Sequence, residues 1–407
     1  MHPNVPHLRF PEFHGEWEKC KVSDLLDFYS TNSLSWDQLE YRTDNLLNLH
    51  YGLIHVGLPT MVDLSKDILP AIKKGNEPKN FEFCKEGDIA FADASEDTNE
   101  VAKAIEFYTL EDKAVVCGLH TIHGRDKSNK TVVGYKGYAF SSTAFHHQIR
   151  RIAQGTKIYS ISAKNFDKCY IGIPSKEEQT KIAKLLRLID ERIATQSKLI
   201  EKLESLIKGI NQRVFMNSGN NYKLGEICEI RSGYSGNQLL SKKGLKVSRI
   251  ETISGHKVNM ERVGYVAPFE SSGNYRLRVG DILFSNINSV EYIGNTAFID
   301  KDYDLYHGMN LLRLTPNNMV VIPFYLYLLL NTNRMLNHFK TVCNKAVSQA
   351  SINQTELGKT VIQIPPIKTQ EQICELYQAL YTKLETASHT KSLFQKQKQY
   401  LLRQMFI

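Results

Sequence analysis

Residue types able to do chemistry are thinly spread along this chain of 407 residues. His146 and His147 are adjacent but have no cysteine or carboxylate at ligand spacing, so a helix or surface pair is expected and not a metal site. Asp93, Glu96 and Asp97 could in principle hold a cation, but a solvated loop after a strand is expected. Gly358-Lys359-Thr360 copies the end of a phosphate-binding loop, but Asn353 stands where its first glycine belongs, so the backbone cradle is missing. The seven cysteines, at 20, 84, 117, 169, 228, 343 and 374, are odd in number and never form a CxxC pair. That argues for reduced thiols over a disulfide frame or a zinc site. There is no Asn/Asp-Pro-Pro-aromatic sequence for base methylation and no glycine-rich cofactor loop after a strand. The expectation is a chain without catalytic residues, metal or cofactor of its own.

What the chain does offer is hydrogen-bonding side chains suited to nucleic acid. Reading base edges takes paired donors and acceptors, whereas phosphates accept almost any donor. The stretch from His120 to Lys130 supplies His120, His123, Arg125, Lys127 and Lys130 around a glycine, the most donor-dense loop of the first half, and the earlier segments holding Tyr29, Asn45 and Tyr51 add hydroxyl, amide and aromatic groups. In the second half Arg231, Tyr234, Asn237 and Arg249 flank a glycine-rich loop. Asn286 and Asn288 follow a strand, Arg313 occupies the place of His123, and Lys340 and Lys345 are candidate phosphate contacts.

Bulk composition neither demands nor forbids this. At 42% apolar and 23% charged, the chain has the balance of an ordinary globular protein long enough for two domains. Its N-terminus lacks an apolar core and its longest apolar run, Val320 to Leu330, is interrupted by Pro323, so a cytoplasmic location without a membrane span is expected. Of the net charge of +8, the segments Lys176–Arg213 and Lys368–Arg403 carry +3 each, leaving +2 elsewhere, so any nucleic-acid surface on the rest is local.

Those two segments are copies. Ile171, Ile173, Pro174, Gln179, Ile182, Leu185 and Phe215 match Ile362, Ile364, Pro365, Gln370, Ile373, Leu376 and Phe406 at a constant offset of 191 residues. In the first copy Ile182, Leu186, Ile189, Ile193, Ile200, Leu203, Ile207, Ile210 and Val214 alternate steps of three and four, an a/d seam broken only at Gln196. Ser175 and Glu178 have capping-box spacing at its start. The second seam is Ile373, Tyr377, Leu380, Leu384, Ala387, Phe394, Leu401 and Met405, with Lys391 and Lys398 at core-like positions. Two helices of about 40 residues, roughly 60 Å each, are predicted to cover one another as an antiparallel pair. Gln196 and Lys391 are expected to meet and fix its register.

The stretches between the helices repeat too. Gly87-Asp88-Ile89-Ala90-Phe91 is answered by Gly280-Asp281-Ile282-Leu283-Phe284, Gly118–Ile122 by Gly308–Leu312, and a helix predicted over Tyr135–Ala153 by Pro323–Lys340, while the intervening loops do not match. The expected organisation is 1–173 and 218–364 as two bodies, with helices over 174–217 and 365–407.

Together, GEWEKCKVSDL, GDIAFADASED, GDILFSNIN, AVSQASINQTELGKTVIQIPPIKTQEQI and IGIPSKEEQTKIAKLLRLIDERI resemble the specificity subunit of type I restriction-modification systems over nearly the whole chain. One departure is QGTKIYSIS in the first body where the second has AVSQASIN. The resemblance implies an α+β protein of two globular target-recognition domains in pseudo-twofold repeat, joined by two long helices forming an antiparallel coiled coil. It implies a non-catalytic reader of double-stranded DNA, each domain taking half of a bipartite target, with the helices as spacer. It also implies two methyltransferase subunits and motor-nuclease subunits as partners, on which S-adenosylmethionine, ATP and Mg would sit. A protein-only coiled-coil adaptor leaves the two bodies with divergent loops unexplained, and an enzyme would have to show turnover from this chain alone.

Overall fold

The computed structural model describes residues 4–41, 46–215, 219–346 and 349–407. Its contacts divide the chain into two compact units, residues 1–198 with 387–407, and residues 199–386, so each long helix contributes to both. Among the described residues no helix is long and apolar enough to cross a membrane.

In the first unit a five-stranded sheet runs in the order Leu26–Tyr29, Thr121–Asp126, Ile89–Ala92, Ala104–Thr109, Met61–Asp63. A four-stranded sheet has Val115–Cys117 and Leu47–Leu49 as parallel neighbours, followed by Ala71–Ile72 and Leu39–Glu40. The second unit has a four-stranded antiparallel sheet, Cys228–Ser232, Leu311–Pro316, Ile282–Ser285, Thr296–Phe298. The repeated sequences occupy repeated places. His123 lies opposite Ala90 as Arg313 lies opposite Leu283. Gly87 and Gly280 take φ of +84° and +97°, and the next residue caps its own turn, Asp88 accepting from the Lys85 N–H and Asp281 from the Arg278 N–H, both at 2.8 Å. The glycine frees the backbone, the aspartate closes the turn, and the strand follows. Where the sequences diverge, the frame still holds: Tyr159–Ser160 pairs with Ala94–Ser95 as Ala350–Ser351 pairs with Ile287–Asn288.

The helix predicted over Tyr135–Ala153 is two helices, Lys136–Phe140 and Thr143–Ile152, because Ser142 turns out of the helix and its hydroxyl accepts from the Phe145 N–H. The duplicated stretches form helices over Lys176–Val214 and Ile367–Gln404. No seam position of the central helix is solvent-exposed, and Ile182, Leu186, Ile189 and Leu203 are buried. In the C-terminal helix Ile373, Tyr377, Leu380, Leu401 and Met405 are buried, with Leu384 and Phe394 partly so. Within the first unit Ile182, Leu186 and Ile189 share a core with Trp17, Tyr135, Leu401 and Met405. Within the second, Phe215 packs with Ile373 and Tyr377. Lys398 bonds Asp190 at 2.9 Å in the first unit and Tyr377 donates to Asn211 in the second. Going 21 residues up one helix thus goes 21 residues down the other, the order of an antiparallel pair. That register sets Gln196 beside Lys391, both half-buried, but neither makes a hydrogen bond or ion pair among the described residues. Polar ties are made instead by Tyr377 and by Lys398, whose ammonium also lies 5.5 Å from the Tyr138 ring, while the Tyr138 hydroxyl donates to Asp190.

The shared glutamine explains why the motif reads Pro-x-x-x-x-Gln. Gln179 is fully buried; its oxygen accepts from the Val132 N–H and its amide donates to the carbonyls of Lys130 and Pro174. Gln370 repeats this with the Ile322 N–H and the carbonyls of Val320 and Pro365. Each glutamine pins the helix start to the loop ahead of the preceding helical segment. The capping box is half formed: the Ser175 hydroxyl accepts from the Glu178 N–H, but the Glu178 carboxylate turns to Arg9 at 2.7 Å instead of closing back. Gln370→Ala strands one buried donor and two acceptors and is expected to cost about 2–3 kcal/mol in urea denaturation, since each unmet group costs about 1–3 kcal/mol. A loss below about 1 kcal/mol would contradict the clamp.

Candidate nucleic-acid interface

The stretch His120–Lys130 is largely a strand, not a loop. Thr121–Asp126 pairs on both edges, and Gly124 is no turn: a Cβ there would stand 3.0 Å from Leu26 Cδ1, so it marks a close approach between strands. Alternation then sends His123 and Arg125 to one face and inward. His123 is completely buried, with Nε2 2.7 Å from Asp88 Oδ2. Arg125 clasps Asp88 through Nε and Nη2 at 2.9 and 2.8 Å, and reaches Glu82 at 2.7 Å and the Phe83 carbonyl at 2.7 Å. Burial pushes the Asp88 carboxyl up, but bonds from His123 and Arg125 outweigh it and hold it below its ordinary range. Burial lowers His123, and the Asp88 bond more than reverses that. These two predicted contacts are therefore structural. Lys127 and Lys130 lie past the far end of the strand, paired with Asp27 and Glu18.

The strand's other end carries what remains exposed. His120 takes φ of +56°, the left-handed region, and projects a half-exposed ring 5.2 Å from that of Tyr51, with Nδ1 3.1 Å from Asp93. Tyr51, His120, His55, Ser95, Glu96 and Ile158 line a cleft of about 600 Å³. Tyr29 is half-buried, its ring 4.7 Å under the Arg125 guanidinium and 5.2 Å from His123. Asn45 lies outside the described residues.

In the second unit Arg313 sits where His123 does, in different company. It is 7% exposed, and among the described residues its Nε has no partner and its one hydrogen bond goes from Nη1 to the Arg276 carbonyl at 3.2 Å. Asp281, placed like Asp88, instead takes the Thr315 hydroxyl at 2.7 Å. Arg313 lines a cleft of about 460 Å³ with Arg231, Ser232, Asn274, Tyr275 and His307. Burial, helped by the Arg313 charge, pushes His307 down to about 4, so its ring is neutral beside the guanidinium. Tyr234 stacks on Phe269 at 3.9 Å and meets Tyr275 edge-on. Arg231 and Arg249 are exposed and paired with Glu229 and Glu251, while Asn237 is exposed. The Asn286 side-chain oxygen is buried without a partner among the described residues, and Asn288 is tied to Ser285. Lys345 is exposed and Lys340 half-buried.

Sequence reasoning did not single out Phe269, Tyr275 and His307, or Lys242 and Lys243, which are exposed next to a fully exposed Leu240. The Lys-Lys-Gly run was the available signal for the last pair.

A model described as the type I restriction modification DNA specificity domain matches residues 65–205 and again 218–393. The chain is 39% identical over 188 residues to the MjaX specificity subunit of a type I restriction enzyme from Methanocaldococcus jannaschii, covering 45% of this chain and 44% of that protein. It is 25% identical over 283 residues to the type I restriction enzyme EcoKI specificity subunit of Escherichia coli, covering 62% and 59%. The matched stretches span about half the length of these relatives. The fold is that of the type I restriction-modification S subunit from M. genitalium, with a TM-score of 0.61 at 16% identity over 99% of each chain.

Proposed function

Because the chain belongs to the type I restriction-modification DNA specificity family, we propose that it is the non-catalytic DNA reader of such a complex, each body taking one half of a bipartite target. The observation that carries this is one frame holding unlike groups. At one shared strand position the first unit buries His123 against Asp88 while the second holds Arg313 with no carboxylate partner among the described residues, and the exposed Tyr51 and His120 of the first unit line a separate cleft with acidic walls. A guanidinium suits paired acceptors such as a guanine edge or a phosphate, whereas carboxylates can accept from cytosine. The two half-sites therefore differ.

The long helices connect the bodies and offer docking area. Leu188 in the first unit and Leu199 and Leu206 in the second are more than 40% exposed off the seam, which suits two methyltransferase subunits; motor-nuclease subunits complete the complex. S-adenosylmethionine, ATP and Mg belong to those partners, and the complex works in the cytoplasm, where its DNA is. Selection of duplexes from a random pool by the chain assembled with its methyltransferase subunits should enrich two unlike constant blocks at fixed separation. Enrichment of one continuous block, or of none, would defeat the reading.

A further inference from the structure

The first unit holds a cluster that DNA reading does not use. Cys84, Cys117 and His123 are all buried, and one ligand atom from each lies within 4.8 Å of the others. The two Sγ atoms are 3.6 Å apart. With Zn–S bonds of about 2.3 Å, a tetrahedral centre sets its sulfurs about 3.8 Å apart, so the thiols already stand near the edge length of such a site. His123 has one ring nitrogen to spare: Nε2 is engaged by Asp88 at 2.7 Å, while Nδ1 is buried with no hydrogen-bond partner among the described residues. A histidine that donates one ring nitrogen to a carboxylate and leaves the other lone pair free is the form that binds metal.

We propose that Cys84, Cys117 and His123 Nδ1 bind a thiophilic divalent ion of the zinc type, with Asp88 orienting the histidine and a water at the fourth corner. Two thiolates and a neutral imidazole balance the charge of the ion, while Arg125 already balances Asp88, so the bound site adds no net charge to the interior. Binding releases the two thiol protons to solvent, and with them the Nδ1 proton of any His123 ring that is charged. Calcium and magnesium are excluded by the donor set, because they take oxygen ligands. Cys84 precedes the Gly87-Asp88 turn and Cys117 precedes the turn bearing His120, so the ion would clip together the bases of both turns beneath the Tyr51–His120 cleft.

The second unit supplies an internal comparison. The Cys84 N–H to Val115 carbonyl bond, 2.8 Å, has its counterpart in Leu277 to Leu305, 2.9 Å. In that register Cys84, Cys117 and His123 are replaced by Leu277, His307 and Arg313, and no thiol remains. One ion per chain is therefore expected, in the first unit alone.

The full chain, purified without chelator and dialysed against zinc, should retain about one zinc per chain by mass spectrometry of the metal. Cobalt(II) in its place should give sulfur-to-metal charge-transfer bands and the strong visible bands of a tetrahedral centre. Cys84→Ser with Cys117→Ser should abolish both, and Cys374→Ser, a buried thiol of the second unit, should change neither. The cobalt spectrum of the unmodified chain decides even if the double variant fails to fold. No stoichiometric zinc together with no charge-transfer band, retention of metal by the folded double variant, or a Cys84–Cys117 disulfide in the freshly isolated chain would each overturn the proposal.

Discussion

Asp88→Ala is expected to destabilise the full chain by about 3 kcal/mol, and Asp281→Ala by only about 1–2 kcal/mol, although the two aspartates occupy the same turn of the same repeated frame. Both cap that turn. Asp88 additionally holds a buried histidine and an arginine that is 18% exposed, so its loss leaves charge without its counterion. Breaking such a pair from one side costs about 3–5 kcal/mol. Arg125 keeps Glu82 and the Phe83 carbonyl, which puts the figure at the lower end. Asp281 takes only a hydroxyl and a backbone N–H, for which ordinary hydrogen-bond values apply. Urea denaturation of the two variants side by side measures the difference. Equal losses would mean that the Asp88 cluster contributes nothing beyond the turn.

Arg313→Leu should do the reverse. The guanidinium is buried with its Nε unmet and no carboxylate near enough to pair among the described residues, so removing it should leave stability unchanged or raised. DNA affinity of the assembled complex should nevertheless fall about 5–150-fold on targets with an intact second half-site, the range set by about 1–3 kcal/mol for one bidentate base contact. Arg313→Lys should not restore it, because an ammonium cannot present paired donors. Denaturation and DNA titration together separate this from a structural role: a variant that loses stability in step with affinity would show that Arg313 holds the fold and does not read DNA. A group that weakens its own domain is the kind of residue a binding site retains.

Much of the frame was legible because it rests on local rules. The helix seams, the Gly-Asp turns and the 191-residue repeat follow from periodicity, φ preference and duplication, and each stands in the structure. The site was less legible, for two physical reasons. Thr121, His123 and Arg125 alternate, which is a strand signal, but polar residues at strand period read as a solvent face unless their buried counterion is known, and Asp88 lies 35 residues away from His123. Likewise, cysteines 33 residues apart show nothing in spacing; only the register of Cys84 against Val115 brings Cys84 to Cys117. The break at Ser141-Ser142 was visible in composition, yet a hydroxyl can cap a new helix or point outward, and tertiary packing decides between them.

The claim that two unlike bodies read two halves of one target is tested most directly by mapping methylated bases in host DNA when this chain is co-expressed with its methyltransferase subunits. The account predicts a motif of two different constant blocks separated by a fixed run of unspecified bases, with Arg313→Leu relaxing one block and leaving the other intact. A continuous motif, or one in which that substitution degrades both blocks alike, would contradict it.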